Sequence, residues 1–175
     1  MASTLKINNI DTASGSTITI PTGKVMVGTD GGTFKSPDQI IQQVHSAINT
    51  QATTTSNTFV DTTLNVTITP KYNNSKILIL GAIHLYQDTN NSVAAMTVKR
   101  GSTNLGHSNW GLGYIYQSAG GAMVATLPLN HLDSPATTSA TTYTVQFSRA
   151  STGTGTAYIC INGTPTSLTA LEIAQ

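Results

Sequence analysis

After residue 58, hydrophobic residues recur at every second position along most of the chain. This is the spacing that turns one side of an extended strand toward a core and the other toward water. Leu64, Val66 and Ile68 alternate with Asn65, Thr67 and Thr69, and Tyr143, Val145 and Phe147 alternate with Thr142, Thr144 and Gln146. Shorter runs of strand character lie at 93–98, 114–117, 123–127, 157–161 and 168–173. Turn-forming clusters separate them, among them Pro70-Lys71-Tyr72-Asn73-Asn74, Asp88-Thr89-Asn90-Asn91 and the charged turn Lys99-Arg100-Gly101. Pro128 follows the 123–127 run and marks an edge strand or a bend, because proline cannot donate to a sheet ladder. The pattern predicts roughly eight strands with no βαβ rhythm, the profile of an all-β, antiparallel jelly roll or β-sandwich.

One run is apolar on both alternating faces: Lys76-Ile77-Leu78-Ile79-Leu80-Gly81-Ala82-Ile83-His84-Leu85. Ile77, Ile79 and Ile83 point one way, and Leu78, Leu80 and Ala82 the other. Such a strand is expected at the centre of a sheet with cover on both sides.

Two segments precede the regular strands. In residues 1–35, Leu5, Ile7, Ile10, Ile18, Ile20, Val25 and Val27 form short alternating runs around turns at Ala13-Ser14-Gly15 and Pro21-Thr22-Gly23. Strands this thin cannot bury a face alone, so the segment reads as an ordered attachment arm that needs partners. In residues 36–57 the period changes. Ile40, Ile41, Val44, Ala47 and Ile48 recur at helical spacing behind Ser36, Pro37, Asp38 and Gln39, which together resemble a capped helix start. A helix is predicted over 36–50, with a Thr/Ser-rich connector to 57. Its apolar stripe either packs on the sheet or meets its own copies about a symmetry axis. The expected organisation is therefore an arm (1–35), a helix and connector (36–57) and a knob (58–175). Ile40, Ile41, Val44 and Ile48 join the arm residues as candidate attachment or oligomer contacts.

Composition narrows the function. Only 9% of residues are charged, against roughly 25% in an ordinary soluble domain, and the formal net charge is +1. No basic stripe offers a nucleic-acid backbone a track, and no polybasic patch suits a membrane. So weakly charged a surface is poorly protected against self-association, and burying it in an assembly resolves the difficulty. The first residues lack the apolar stretch of a signal peptide, so synthesis in a cytoplasm is expected.

Chemistry-bearing residues are sparse. Cys160 is the only cysteine and sits in a strand-like run, as an inert buried thiol would. His45, His84, His107 and His131 share no metal-ligand spacing. His84 alternates onto the Leu78/Leu80 side, where a hydrogen-bonded core or rim histidine is expected. Glu172 is the sole glutamate, which leaves little for paired-carboxylate chemistry, and no catalytic motif is present. Asp88-Thr89-Asn90-Asn91 has calcium-like ligand types but a single carboxylate, and reads as a turn. No enzyme activity, metal or cofactor is expected. The most suggestive loop runs from Gly106 to Tyr116 and holds Trp110, Tyr114 and Tyr116 among glycines, Asn and Ser. Those aromatics suit either a subunit contact or the face of a sugar ring.

Two stretches carry a resemblance. Ser3-Thr4-Leu5-Lys6-Ile7-Asn8-Asn9-Ile10, continuing through Ile18-Thr19-Ile20-Pro21-Thr22-Gly23-Lys24-Val25, resembles the N-terminal segment of tailed-phage virion proteins, especially short fibre-like proteins of cyanobacterial and marine phages. Val66-Thr67-Ile68-Thr69-Pro70 with Ser75-Lys76-Ile77-Leu78-Ile79, together with Leu132-Asp133-Ser134-Pro135, Thr141-Thr142-Tyr143-Thr144-Val145-Gln146 and Leu171-Glu172-Ile173-Ala174-Gln175, resembles the jelly-roll knob of phage fibre and head-decoration proteins. That knob is similar in shape to C1q/TNF-type trimers. The helix and the Trp110 loop have no match. The resemblance implies a homotrimer on a virion surface, assembled in the host bacterial cytoplasm, and supplies no catalytic residues. Without a long repetitive shaft, a capsid-decorating cement protein is the expectation, its arm held by the major capsid protein or another virion component. The alternative is a short tail or head fibre whose knob binds a host-surface glycan or receptor.

Overall fold

A computed structural model of the chain describes residues 20–25, 27–28, 36–150 and 154–175. The described strands form two antiparallel sheets packed face to face. In the first sheet, β4 (Lys76–Gln87) pairs along one edge with β8 (Met123–Asp133). Along its other edge it pairs with β11 (Thr166–Ile173) and then β10 (Ala157–Ile159). Outside these lie β1 (Ile40–Ile48), on β11, and β2 (Ala52–Thr54), on β10. The second sheet runs β3 (Val60–Ile68), β9 (Thr141–Ser148), β5 (Ser92–Arg100), with β6 (Thr103–Asn104) and β7 (Gly113–Gln117) sharing the far edge of β5. The chain switches sheets from β2 to β3, β3 to β4, β4 to β5, β7 to β8, β8 to β9 and β9 to β10, as in a jelly roll.

The alternating runs supply the core. Leu64, Val66 and Ile68 of β3 and Tyr143, Val145 and Phe147 of β9 face Ile77, Ile79, Ile83 and Leu85 of β4 and Leu168 and Ala170 of β11. Each fully buried side chain of this size contributes about 2 kcal/mol by leaving water. Gly81 interrupts the inward row of β4 for a steric reason: a Cβ there would lie 2.8 Å from the Ser167 carbonyl oxygen. β8 continues through Pro128 and pairs only with β4, so the proline does sit on an edge.

The expected helix over 36–50 is not formed; residues 40–48 are strand β1. The apparent helix start is a tight turn instead. The Gln39 N–H donates to the Ser36 carbonyl (3.2 Å), and the Gln39 side chain reaches back to the Ser36 N–H (3.1 Å). Half of the capping box is thus present, but Asp38 takes the left-handed conformation (φ 63), which turns the chain out of a helix. The Asp38 N–H then donates to the Ala174 carbonyl (2.9 Å), and the Ala174 N–H to the Gln39 carbonyl (2.9 Å), which starts the ladder with β11. Beyond an irregularity between Ile40 and Gln42, the even positions Gln42, Val44, Ser46 and Ile48 lie opposite the inward residues of β11. Val44 and Ile48 therefore fit a period of two once a partner strand is available, while Ile41 is buried across the irregularity and Ala47 faces outward. With β1 and β2 in the first sheet, residues 40–54 belong to the sandwich and are not a helix with a connector.

Two carboxylates tie the sheets and turns together. Asp133 on β8 accepts from Arg100 of β5 (2.6 and 2.8 Å) and from the Tyr143 hydroxyl of β9 (2.7 Å), bridging the sandwich. Glu172 on β11 is fully buried. It accepts from the N–H groups of Lys71 (2.8 Å) and Tyr72 (3.3 Å) and from the Gln42 amide, fixing the 70–74 turn against the end of the first sheet.

Candidate assembly surface

The outward faces of the two sheets differ in kind. The second sheet presents Asp61, Thr67, Lys99, Thr142 and Gln146 along its β3, β9 and β5 strands. Lys99 and Gln146 both bond the Asp61 carboxylate (2.6 and 2.8 Å), and the Thr67 and Thr142 hydroxyls lie 2.8 Å apart. Lys99 holds the Asp61 carboxyl below the ordinary carboxylate range. This is a solvated face, and its ion pair is of the exposed kind that contributes little.

The outward face of the first sheet is built in cross-strand rows. Leu171, Leu78 and Leu132 form one row, followed by Thr169, Leu80 and Asn130, and then by Ser167, Ala82 and Pro128. Farther along come His84 with Thr126, then Tyr158, Tyr86 and Val124. On the flank, β1 adds Gln43, His45 and Ala47. Between Lys76 at one end and Asp88 beyond the other, these rows contain no Asp, Glu, Lys or Arg. Leu132 is 50% and Val124 53% exposed. The cover expected on both faces of β4 is therefore met on one side only: Ile77, Ile79 and Ile83 are buried, while Leu78 and Leu80 are only half-buried and Ala82 is open.

The aromatic loop forms a second surface. The His107 and Gly111 backbones bond each other in both directions (3.0 and 2.9 Å), and His107 Nδ1 accepts the N–H groups of Asn109 (3.1 Å) and Trp110 (3.2 Å). Asn104 Oδ1 accepts from the Thr97 hydroxyl (2.6 Å) and the Gly106 N–H (2.9 Å). Gly111 has φ 63, and a Cβ there would stand 2.1 Å from the Met96 carbonyl oxygen, so the loop can close only on glycine. Held this way, the Trp110 ring lies 5.2 Å from that of Tyr114 at 44°. Tyr114 and Tyr116 point outward from β7 on either side of buried Ile115, and all three rings remain well exposed. Asn104 and His107 set this geometry. Their backbone partners lie two or three residues on in the chain, and only the Thr97 hydroxyl is brought from the neighbouring strand.

The other expected contacts divide. Leu5, Ile7, Ile10 and Ile18 lie outside the described residues. Ile20, Val25 and Val27 are exposed, as is Ile40. Ile41 is buried, and Val44 and Ile48 pack against the core, so these three serve the sandwich. Cys160 is buried with a left-handed backbone (φ 56) just before a 3-10 turn at Ile161–Gly163. Asp88 is engaged by the Thr156 N–H (2.7 Å) and the Tyr158 hydroxyl (3.2 Å). Among the described residues, no three of His, Cys, Asp and Glu are grouped as metal ligands, and no helix is long and apolar enough to cross a membrane.

No family model and no curated protein matches the sequence. Among solved structures, the chain is similar to the infectious bursal disease virus VP2 subviral particle, with 12% identity and a TM-score of 0.45 over 85% of this chain and 37% of that one. It is also similar to the Gt strain of the same virus, with 14% identity and a TM-score of 0.41 over 86% of this chain and 42% of that one. The chain thus spans roughly two fifths of the length of these proteins.

Proposed function

We propose that this chain is a non-enzymatic structural protein of a tailed-phage virion, decorating and stabilising the capsid surface as a homotrimer. The observation that carries the reading is the outward face of the first sheet, free of Asp, Glu, Lys and Arg and bearing the Leu171, Leu78 and Leu132 row, set against the polar, ion-paired face of the second. A face of four strands spaced about 4.8 Å apart, each some ten residues long, covers on the order of 600 Å² even as a flat plane. That approaches the roughly 800 Å² per partner of a stable protein interface. Its neutrality selects an equally neutral partner, and the face of a second copy satisfies that condition. Three copies closing about an axis would leave no such face open. The arm of residues 1–35, in which Ile20, Val25 and Val27 are exposed, would attach the trimer to the major capsid protein or another virion component. The resemblance of its sequence to phage N-terminal segments supports that assignment.

The test of location is electron microscopy of purified virions labelled with an antibody against the knob. Label distributed over the head is the expected result, and unlabelled virions would end the proposal. Label confined to the tail tip would favour a second reading, a short fibre whose knob binds a host-surface glycan. The clustered, exposed Trp110, Tyr114 and Tyr116 support that reading, since aromatic faces of this kind stack on sugar rings. In that case Trp110→Ala is expected to lower host adsorption about tenfold with no loss of particle stability, measured by counting unadsorbed phage. Unchanged adsorption would return the aromatics to a subunit contact.

A further inference from the structure

We infer that Pro128 keeps copies of this chain from joining strand to strand along β8, which leaves association to side-chain faces. β8 is an edge strand of 11 residues that pairs only with β4. Its register with β4 runs from Met123 opposite Gln87 to Asp133 opposite Ile77 without a shift. No Asp, Glu, Lys or Arg lies between Met123 and Leu132, and Val124, Thr126, Pro128, Asn130 and Leu132 are all exposed. A long, regular, uncharged edge of this kind is a ready template for another strand.

The direction of the β8 backbone groups follows from its neighbour. The His84 N–H donates to the Thr166 hydroxyl (3.2 Å), and the His84 carbonyl accepts from the Cys160 N–H (3.4 Å). Both partners lie on the β10 and β11 side, so the even positions of β4 turn their backbone groups away from β8. In an antiparallel pair, residues directly opposite either exchange both bonds or exchange neither. Val124, Thr126, Pro128, Asn130 and Leu132 stand opposite Tyr86, His84, Ala82, Leu80 and Leu78, all even positions. Their N–H and C=O groups therefore face the open edge. Pro128 sits at the centre of that row. It has no N–H, and its ring occupies the place a donated bond would take.

The other described edges are discouraged by different means. β2, β6 and β7 are short, with 3, 2 and 5 residues. β3 shifts register between Asp61 and Asn65 and carries the Asp61 charge, and β1 is irregular between Ile40 and Gln42. Shortness, bulges and charge each oppose the addition of a strand. β8 has none of these, so its proline carries that task.

The experiment compares full chains with and without Pro128→Thr, both carrying Leu80→Glu so that the outward face does not join them. Threonine supplies the N–H and suits an extended strand. The Pro128→Thr chain is expected to sediment as a dimer or larger at concentrations where its counterpart does not. Amide hydrogen exchange at Val124, Thr126, Asn130 and Leu132 should slow about tenfold or more in the joined state. Pro128→Ala supplies the same N–H with less bulk and should act in the same direction more weakly. Circular dichroism checks that each variant is folded, and Pro128→Ala carries the comparison if Pro128→Thr is not. Folded variants that sediment like their counterpart would overturn the inference. So would larger species in which those amides still exchange freely. A Leu80→Glu chain that stays oligomeric would count against the face proposed above but not against this inference, which is read within one background.

Discussion

A chain carrying Leu80→Glu is expected to sediment as a folded monomer at concentrations where the parent chain forms the proposed trimer. Leu80 lies in mid-face, between Thr169 and Asn130 across the sheet and between Leu78 and Ala82 along its own strand. A glutamate there would be covered by the neighbouring copy with no cation beside it, since the outward positions nearby carry no Lys or Arg. Burying an unpaired carboxylate at an interface costs on the order of 4 kcal/mol, or about a thousandfold in affinity. The isolated sandwich should tolerate the change, because Leu80 points away from the core and its outer side remains open to water in a single chain. Asn65→Glu is the control. It adds the same charge to an exposed position on the second sheet and should leave the trimer unchanged. A trimeric Leu80→Glu chain would mean that another surface joins the copies.

The fold was legible where sequence and burial share a period. Leu64, Val66 and Ile68, and likewise Tyr143, Val145 and Phe147, all turn inward as their alternation requires. Legibility failed at β1 because the deciding contacts are remote. Ile40, Ile41, Val44, Ala47 and Ile48 fit a helix locally, and only the ladder with β11, over a hundred residues later, makes them a strand. The two-faced apolar character of β4 was visible in advance, but what it meant was not. It suggested cover on both sides, whereas the outward Leu78 and Leu80 are only half-buried in the single chain. The aromatic cluster was recognisable as a set, since Trp110, Tyr114 and Tyr116 are close in sequence. The supports of the sandwich, Asp133 and Glu172, were not recognised, because their partners come from other strands and turns.

The second large effect is expected at Asp133. Replacing it with alanine should lower the stability of the fold by about 3 kcal/mol. Asp133 is 7% exposed and bridges the two sheets by accepting both Arg100 contacts and the hydroxyl of fully buried Tyr143. Without it, a largely covered guanidinium loses its anion and a buried phenol loses its acceptor, and each loss carries a desolvation penalty with nothing to offset it. The Arg100 side chain keeps 29% of its surface in water, which places the expected cost toward the lower end for a broken buried pair. For a chain of this length the melting midpoint should fall by roughly 6–12 °C. The measurement is best made in the Leu80→Glu background, where unfolding is not linked to dissociation of the proposed oligomer. Alkaline pH gives an independent check. Burial, and then the bond to Asp133, pushes the Tyr143 hydroxyl far above the usual phenol range. Its protonated form therefore contributes stability that is complete below about pH 10 and is lost as pH rises further. Tyr143→Phe should flatten that alkaline decline while leaving Arg100 and Asp133 paired. An Asp133→Ala chain as stable as its parent would show that the two sheets are held by apolar packing alone.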